Sequence, residues 1–247
     1  MATMLNHDEE KLLKFAMQNK NNQGKLTAKG WDFSSPETWA GVVWGNGDAN
    51  KRVISINFDK YGLIGDIDLS GFSYMSRLIV NNNVLTSLNL SGCRALTYLK
   101  CENNFLTQID VSDSDLLCEL YLHKNKISHL DVTKNPLLQW LGFDSNDITA
   151  IDVSNNPQLT YLSFGYNQIT ELDLKNNTRL KQLWCYGNKL TELDVSNQGE
   201  LEILGVFENN ITSLDLSANP VLETLALYSI KQPIEVQPIA VKRGLSN

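Results

Sequence analysis

Residues 96–116 read LTYLKCENNFLTQIDVSDSDL, and residues 117–137 repeat the same pattern as LCELYLHKNKISHLDVTKNPL. Apolar residues occupy positions 1, 4, 6, 11, 14 and 16 of each copy, and asparagine occupies position 9. The period is 21 residues with no insertion or deletion, and successive copies begin at Met75, Leu96, Leu117, Leu138, Leu159, Leu180, Leu201 and Leu222. A fixed period of this length predicts a solenoid, in which each copy forms one coil and stacks on its neighbours.

The pattern inside each copy predicts how a coil is built. Around positions 3–7 the residues alternate as they do in a β-strand, with positions 4 and 6 pointing inward and positions 3, 5 and 7 outward. Neighbouring coils should pair these strands into one parallel sheet. The asparagine at position 9, from Asn83 to Asn209, should end the strand and bond backbone groups that the turn leaves unpaired.

The composition limits the classes of protein to consider. The 247 residues are 42% hydrophobic, enough for a sizeable core, and carry a net charge of −7 without a basic run. No nucleic-acid partner is expected, because phosphate neutralisation needs clustered lysine and arginine. No membrane insertion is expected either, since no stretch approaches the roughly 20 apolar residues of a transmembrane helix. The four cysteines, Cys93, Cys101, Cys118 and Cys185, do not suggest a disulfide framework.

The repeat form NxLTxLDVSxNxxLxxLxC resembles the 21-residue leucine-rich repeats of the internalin J type, a class of bacterial surface adhesins with cysteine at position 6. The resemblance covers Met75 to about residue 228, although only Cys101 and Cys185 keep that cysteine. It implies a leucine-rich repeat horseshoe, which is an α/β-type repeat solenoid with a parallel β-sheet on its concave face. It implies no particular ligand, because such repeats share a scaffold and not a target.

Three segments are expected along the chain. Residues 1–52 should form an N-terminal cap, and residues 53–228 should form the array, with one irregular 22-residue coil before Met75. Residues 229–247 should form a tail or partial cap. The segment Trp39-Ala-Gly-Val-Val-Trp44 resembles the N-terminal cap of plant-type leucine-rich repeat proteins, without the cysteine pair that usually accompanies it.

The cap is predicted to begin with a helix from about Asp8 to Asn19. Trp31, Trp39 and Trp44 should cover the first coil, whose core would otherwise contact water. The buried face of the helix is predicted to consist of Leu12, Leu13, Phe15, Ala16 and Met17.

Function is expected at the outward positions of the sheet, because the repeat rule leaves positions 3, 5 and 7 free. A third of these residues are aromatic, against 9% of the whole chain. Tryptophan and tyrosine combine a large contact area with a hydrogen-bonding tip, which favours binding over the alternative of simple cross-strand packing. Gly142, Ser163 and Gly165 lie among them and are expected to form a depression. With Tyr166 at position 8, the aromatic candidates are Tyr98, Tyr121, Trp140, Tyr161, Tyr166, Trp184, Tyr186, Phe207 and Tyr228.

A charged set lies on the same predicted face. Glu102, His123 and Asp144 occupy position 7 on three successive strands, and Lys100 is adjacent. The set is either a metal or acid–base site or a charge-compensated strip that contacts a partner. One histidine with two carboxylates is a poor set for zinc, and no nucleophile motif accompanies it. We therefore assign these four residues to ligand binding and assign no catalytic residue, metal or cofactor.

Aspartate fills position 15 in six successive copies, from Asp110 to Asp215. Stacked carboxylates repel each other, so each must find local compensation. One explanation is an Asx turn, in which the carboxylate accepts a hydrogen bond from the backbone two residues on. The alternative is a calcium ion bridging the coils.

These features predict a monomeric, non-enzymatic recognition module that binds a protein or peptide through its aromatic face. The resemblance implies a bacterial protein at the cell surface or secreted, although residues 1–20 show no export signal and a cytoplasmic location stays open. The alternative is a glycan-binding module that uses the same rings. An enzyme centred on His123 is a third and less favoured alternative.

Overall fold

The computed structural model describes residues 7–18, 20–35, 38–45, 51–227 and 234–237. Within these ranges, two N-terminal helices precede a stack of coils whose strands form a ten-stranded sheet. Neither helix is long and apolar enough to cross a membrane.

The cap begins with helices α1 (His7–Gln18) and α2 (Lys20–Ala28), followed by strand β1 (Val42–Trp44). Acidic residues in the first turn of α1 suit the positive end of the helix dipole. Leu12, Phe15 and Ala16 are buried at helical spacing, as predicted. The prediction for Met17 was wrong, since it is 61% exposed and lies one residue beyond that stripe. The predicted helix end at Asn19 falls outside the described residues, and the sequence pattern did not indicate α2.

Aromatic rings join the cap to the first coil. The rings of Trp31 and Trp39 stack with centroids 3.9 Å apart, and Trp31 meets the ring of Phe58 edge-on at 5.3 Å. Phe58 belongs to the first coil, and α1 also contacts it through Phe15 at 5.8 Å. The other predicted covering residue, Trp44, lies in β1, which pairs antiparallel with the first coil's strand. The tryptophans therefore close the open end of the core, as expected.

The sheet is parallel apart from β1, and its register equals the period of the repeat. Leu99 pairs with Leu120, and Leu120 pairs with Leu141. Equal repeat positions therefore lie side by side along the whole sheet. After β1 its strands, in spatial order, are β2 (Val53–Asn57), β4 (Arg77–Ile79), β6 (Tyr98–Lys100), β7 (Glu119–Tyr121), β8 (Trp140–Gly142), β9 (Tyr161–Ser163), β10 (Gln182–Trp184), β11 (Ile203–Gly205) and β13 (Thr224–Ala226).

Two short parallel pairs lie on the return side of the coils, by which we mean the segment around positions 10–16 that leads back from one strand of the sheet to the next. They are β3 (Ile64–Asp68) with β5 (Val84–Asn89) and β12 (Ser213–Asp215) with β14 (Glu235–Gln237). Within the described residues, the tail lies beside the last coils on the return side, where Val236 pairs with Leu214.

The asparagines at position 9 form a ladder inside the solenoid. The amide nitrogen of Asn125 donates to the carbonyls of Leu122 in its own coil and Cys101 in the preceding coil, at 2.9 and 3.0 Å. Its side-chain oxygen accepts a hydrogen bond from the backbone N–H of Leu106 at 3.1 Å. Each asparagine thus joins two coils, which confirms the predicted role.

A second ladder occupies position 19, and the sequence reasoning did not single it out. Asn156 is fully buried, and its amide nitrogen donates to the carbonyls of Val132 and Asn135, each at 2.9 Å. Asn177 repeats this arrangement one coil later. This ladder ties successive coils together a second time, in the turn that precedes each strand of the sheet.

Candidate functional site

The outward side chains at positions 3, 5 and 7 form one surface, which we call the sheet face. Positions 4 and 6 beneath it are buried, as the alternation predicted, except in the last coil, where Leu225 and Leu227 are partly buried. Eight of the nine aromatic candidates lie within the described residues, and Tyr228 lies outside them. Seven of these eight are half-buried, whereas Tyr166 is 51% exposed. The rings form two groups on the sheet face.

The first aromatic group runs across four strands. Tyr98 and Tyr121 have ring centroids 5.7 Å apart, and Tyr121 is 6.2 Å from Trp140. Trp140 stacks on Tyr161 at 3.9 Å with nearly parallel rings. The guanidinium of Arg77 covers the other end, 3.6 Å from the ring of Tyr98. The register creates this row, because residues 21 apart become direct neighbours.

Polar groups attach to the middle of this row. The ammonium of Lys100 lies 4.2 Å from the ring centroid of Tyr121, close enough for a cation–π contact. The hydroxyl of Tyr121 donates to the carboxylate of Glu119 at 2.8 Å. Burial, with that hydrogen bond and charge, raises the pKa of Tyr121, so its hydroxyl stays protonated. The sequence reasoning had not selected Glu119 or Arg77 as site residues, although both lie at position 3.

The second aromatic group follows directly, on β10 and just past the ends of β9, β10 and β11. Tyr186 and Phe207 stack with centroids 4.6 Å apart, and Trp184 meets Tyr186 edge-on at 6.4 Å. Tyr166 meets Tyr186 edge-on at 5.1 Å from the turn after β9. Its backbone is left-handed, with φ of 53°, because the repeat requires this conformation at position 8. A bulky residue rarely adopts it.

The expected depression between the two groups is filled. A β-carbon on Gly142 would lie 2.5 Å from Nε2 of His123, and one on Gly165 would collide with the ring of Tyr186. The same holds for Gly205 beneath Trp184. The prediction was therefore wrong at this point. Large side chains of neighbouring coils occupy the space above the small residues, where a larger residue would collide with them.

The charged strip is held together by short contacts. Nδ1 of His123 lies 2.5 Å from Oδ2 of Asp144, and its Nε2 lies 3.6 Å from a carboxylate oxygen of Glu102. Asp144 also accepts hydrogen bonds from the hydroxyl of Ser163 at 2.7 Å and the backbone N–H of Gly165 at 2.6 Å. The structure thus brings together the three residues that the sequence placed in one column.

Asp144 has a structural role within this strip. It is only 9% exposed, and burial alone would raise the pKa of its carboxyl group. Hydrogen bonds from His123 and Ser163 outweigh burial and hold that pKa below its usual range. The charge of Asp144 and its hydrogen bond add to burial in raising the pKa of Tyr186, so Asp144 links the strip to the second aromatic group. Glu102 and His123 remain the more accessible members.

Two observations bear on the metal alternatives. Among the described residues, no group of three or more histidine, cysteine, aspartate or glutamate side chains is arranged to hold a metal ion. The position-15 aspartates form Asx turns, as Asp152 does by accepting a hydrogen bond from the backbone N–H of Ser154 at 2.9 Å. The side-chain and backbone hydrogen bonds from Ser154 lower the pKa of Asp152. Hydrogen bonds within each turn thus compensate the charges of the position-15 aspartates.

A sequence model of leucine-rich repeats, which spans two copies of the repeat, matches residues 157–198. The fold is a leucine-rich repeat solenoid. The functional domain of internalin J from Listeria monocytogenes, described as including a cysteine ladder, is 36% identical with a TM-score of 0.62. The match covers 63% of this chain and 35% of that chain. In this chain Cys101 and Cys185 share repeat position 6, and both are buried.

Two further solved structures share the fold. A leucine-rich repeat protein of Leptospira interrogans is 21% identical over 74% of this chain and 56% of its own, with a TM-score of 0.63. The leucine-rich repeat ectodomain of a receptor kinase from Arabidopsis thaliana is 21% identical over 90% of this chain, with a TM-score of 0.74. This chain spans only 30% of that ectodomain. No curated protein matches the sequence significantly.

Proposed function

We propose that this protein is a non-enzymatic recognition module that binds a protein or peptide through the aromatic residues of its sheet face. Leucine-rich repeat proteins generally act as protein-interaction modules. The observation that carries the proposal is the pair of aromatic groups on this face, with Tyr166 half-exposed in a backbone conformation unfavourable for tyrosine. Aromatic side chains that cluster on one face and stay partly open to solvent are typical of interaction sites.

The arrangement of the rings favours a protein or peptide over a glycan. Trp140 covers Tyr161, and Tyr186 covers Phe207, so each stack hides the two ring faces that meet. A sugar stacks on an open ring face, whereas apolar side chains of a peptide also pack against ring edges. Tyr166 is the residue that best fits the glycan alternative, because its ring is more exposed than the others.

The likeness to internalin J supports a further proposal, that the protein acts at a bacterial surface or as a secreted adhesin. The chain spans about a third of the length of that domain, so this role rests on the resemblance of the repeats.

A selection experiment tests the proposed site. Immobilised protein is panned against a displayed peptide library and, separately, probed on a glycan array. Trp184→Ala with Phe207→Ala, and Tyr166→Asn alone, should weaken binding of selected peptides about tenfold or more, as loss of an aromatic anchor does. Phe105→Ala is the matched control, because Phe105 is also exposed but occupies repeat position 10, outside the sheet-face positions.

Three outcomes decide between the alternatives. Peptides that lose affinity in the sheet-face variants and keep it in the control support the proposal. Glycans with the same dependence support the glycan alternative and contradict ours. Peptides that bind all variants equally place the site elsewhere.

A further inference from the structure

A groove runs along the return side of the solenoid, away from the sheet face. It crosses four successive coils between residues 150 and 218 and has a volume of about 860 Å³. Its floor includes Ile151, Leu172 and Leu193, which the repeat places at position 14. Ile151 and Leu172 are only partly buried, so they offer apolar surface to a ligand. We call this the return groove.

Rows of carboxylates flank the floor on both sides. Position 15 contributes Asp152, Asp173, Asp194 and Asp215, and position 13 contributes Glu171 and Glu192. Lys175 is the basic residue of the lining, and its ammonium lies 3.6 Å from the carboxylate of Asp173. Six carboxylates against one lysine make the lining strongly negative, and the concave shape concentrates that field.

The repeat accounts for the aspartates but not for the glutamates. Asp152, Asp173 and Asp194 each cap a turn, so their presence says nothing about a ligand. Position 13 has no such structural demand, since other copies carry Ser87, Gln108, His129, Ala150 or Ser213 there. Glu171 and Glu192 are exposed, and they add their charge where the aspartates already lie.

A second groove at the same repeat positions offers an internal comparison. It has a volume of about 670 Å³ and is lined by Gln108, Ile109 and His129, among others. Its carboxylates are Asp110 and Asp131, and Lys134 opposes them. Of these two grooves, the return groove carries the larger excess of negative charge, six carboxylates against one lysine.

We propose that the return groove binds an extended segment of a partner protein in which apolar residues alternate with lysine or arginine. Apolar side chains on one face of the segment would cover Leu172 and its neighbours. The long lysine or arginine side chains on the other face would bend back past the backbone to the carboxylate rows on either side. The four coils span about 15–20 Å, which roughly six extended residues cover. This site is independent of the sheet face.

Short synthetic peptides test the proposal directly. The probe is a fluorescein-labelled peptide of about eight alternating lysine and leucine residues, with lysine–serine and glutamate–leucine peptides of equal length for comparison. Binding to the intact chain is measured by fluorescence anisotropy at low and high salt. The lysine–leucine peptide should bind best and weaken as salt rises, because the pairing is partly electrostatic.

Matched variants locate the bound peptide. Glu171→Gln with Glu192→Gln should weaken lysine–leucine binding about three- to tenfold, as expected for two partly exposed ion pairs. Leu172→Ser should also weaken lysine–leucine binding, because it removes apolar surface from the floor of the groove. Glu200→Gln with Glu223→Gln removes the same charge at exposed sites outside the groove and should leave binding unchanged. All four substituted glutamates are exposed, so the substitutions should not disturb the fold. Melting curves verify that the variants fold.

Several results would overturn the proposal. Equal weakening in both glutamate pairs would mean that net charge alone attracts the peptide. Binding abolished by Trp184→Ala with Phe207→Ala, and untouched in the groove variants, would move the peptide to the sheet face. Absence of binding by the lysine–leucine peptide at millimolar concentration would exclude the groove as a site for this chemistry.

Discussion

Nδ1 of His123 lies 2.5 Å from Oδ2 of Asp144, one strand away on the sheet face. The backbone N–H of Asp144 donates a hydrogen bond to the same nitrogen at 3.1 Å, so both the backbone and the side chain of Asp144 contact His123. Asp144 in turn accepts hydrogen bonds from the next coil. A buried carboxylate therefore joins three coils at the centre of the candidate binding surface.

Replacing Asp144 by Asn should destabilise the fold by about 1–3 kcal/mol at neutral pH, because charged hydrogen bonds are lost. The folded-state pKa of Asp144 lies below its ordinary value, so the stabilisation is present above about pH 4 and is lost as pH falls through the folded pKa. Urea unfolding of both proteins from pH 7 down to pH 2 measures the difference. A gap between them that does not narrow with acidification would contradict this role.

Gly165→Ala should cost about 1–3 kcal/mol, because the new methyl group collides with the ring of Tyr186. Adding Tyr186→Ala should recover part of that cost, since it removes the clash. Gly199→Ala is the control, as a β-carbon there has its nearest neighbour 4.0 Å away. The double-variant cycle is measured by denaturant unfolding. If the stability losses of the two substitutions were additive, the new methyl group at Gly165 would not be colliding with Tyr186.

Tyr166→Asn should leave the protein equally stable or up to about 1 kcal/mol more stable, because asparagine tolerates the left-handed backbone better than tyrosine. Asn82 and Asn103 already occupy the same repeat position with φ of 56°. Thermal melting measures stability, and peptide binding is measured in parallel. Lower stability without any loss of binding would show that Tyr166 serves the fold and not a ligand.

Asn125→Asp should destabilise the solenoid by about 3 kcal/mol or more. A carboxylate cannot donate to the carbonyls of Leu122 and Cys101, and its charge would be buried. Asn155→Asp provides a control at an exposed asparagine. Comparable losses in the two variants would argue against the ladder as the cause.

Iodoacetamide should label Cys118 in the folded protein and reach the other cysteines only after unfolding. Cys93, Cys101 and Cys185 are fully buried, whereas Cys118 is partly exposed. Burial also raises the pKa of Cys93 to about 11, which keeps its thiol unreactive. Peptide mass spectrometry before and after urea treatment measures the pattern. Native labelling at Cys101 would contradict this packing.

The sequence alone determined the repeating architecture. A strict 21-residue period requires one register, so the buried positions, the parallel sheet and the asparagine ladder follow from residues such as Leu120 and Asn125. It also identified the column Glu102–His123–Asp144, because equal positions must become neighbours. These features depend only on backbone spacing, which the period reports directly.

Only the tertiary structure decided how side chains fill the space above the sheet. His123 and Tyr186 lean over Gly142 and Gly165, which closes a depression that the residue sizes had suggested. Rotamers depend on contacts with two neighbouring coils at once, and the repeat pattern carries no information about them. The same is true of Met17 in the cap, whose exposure depends on how α1 packs against the first coil.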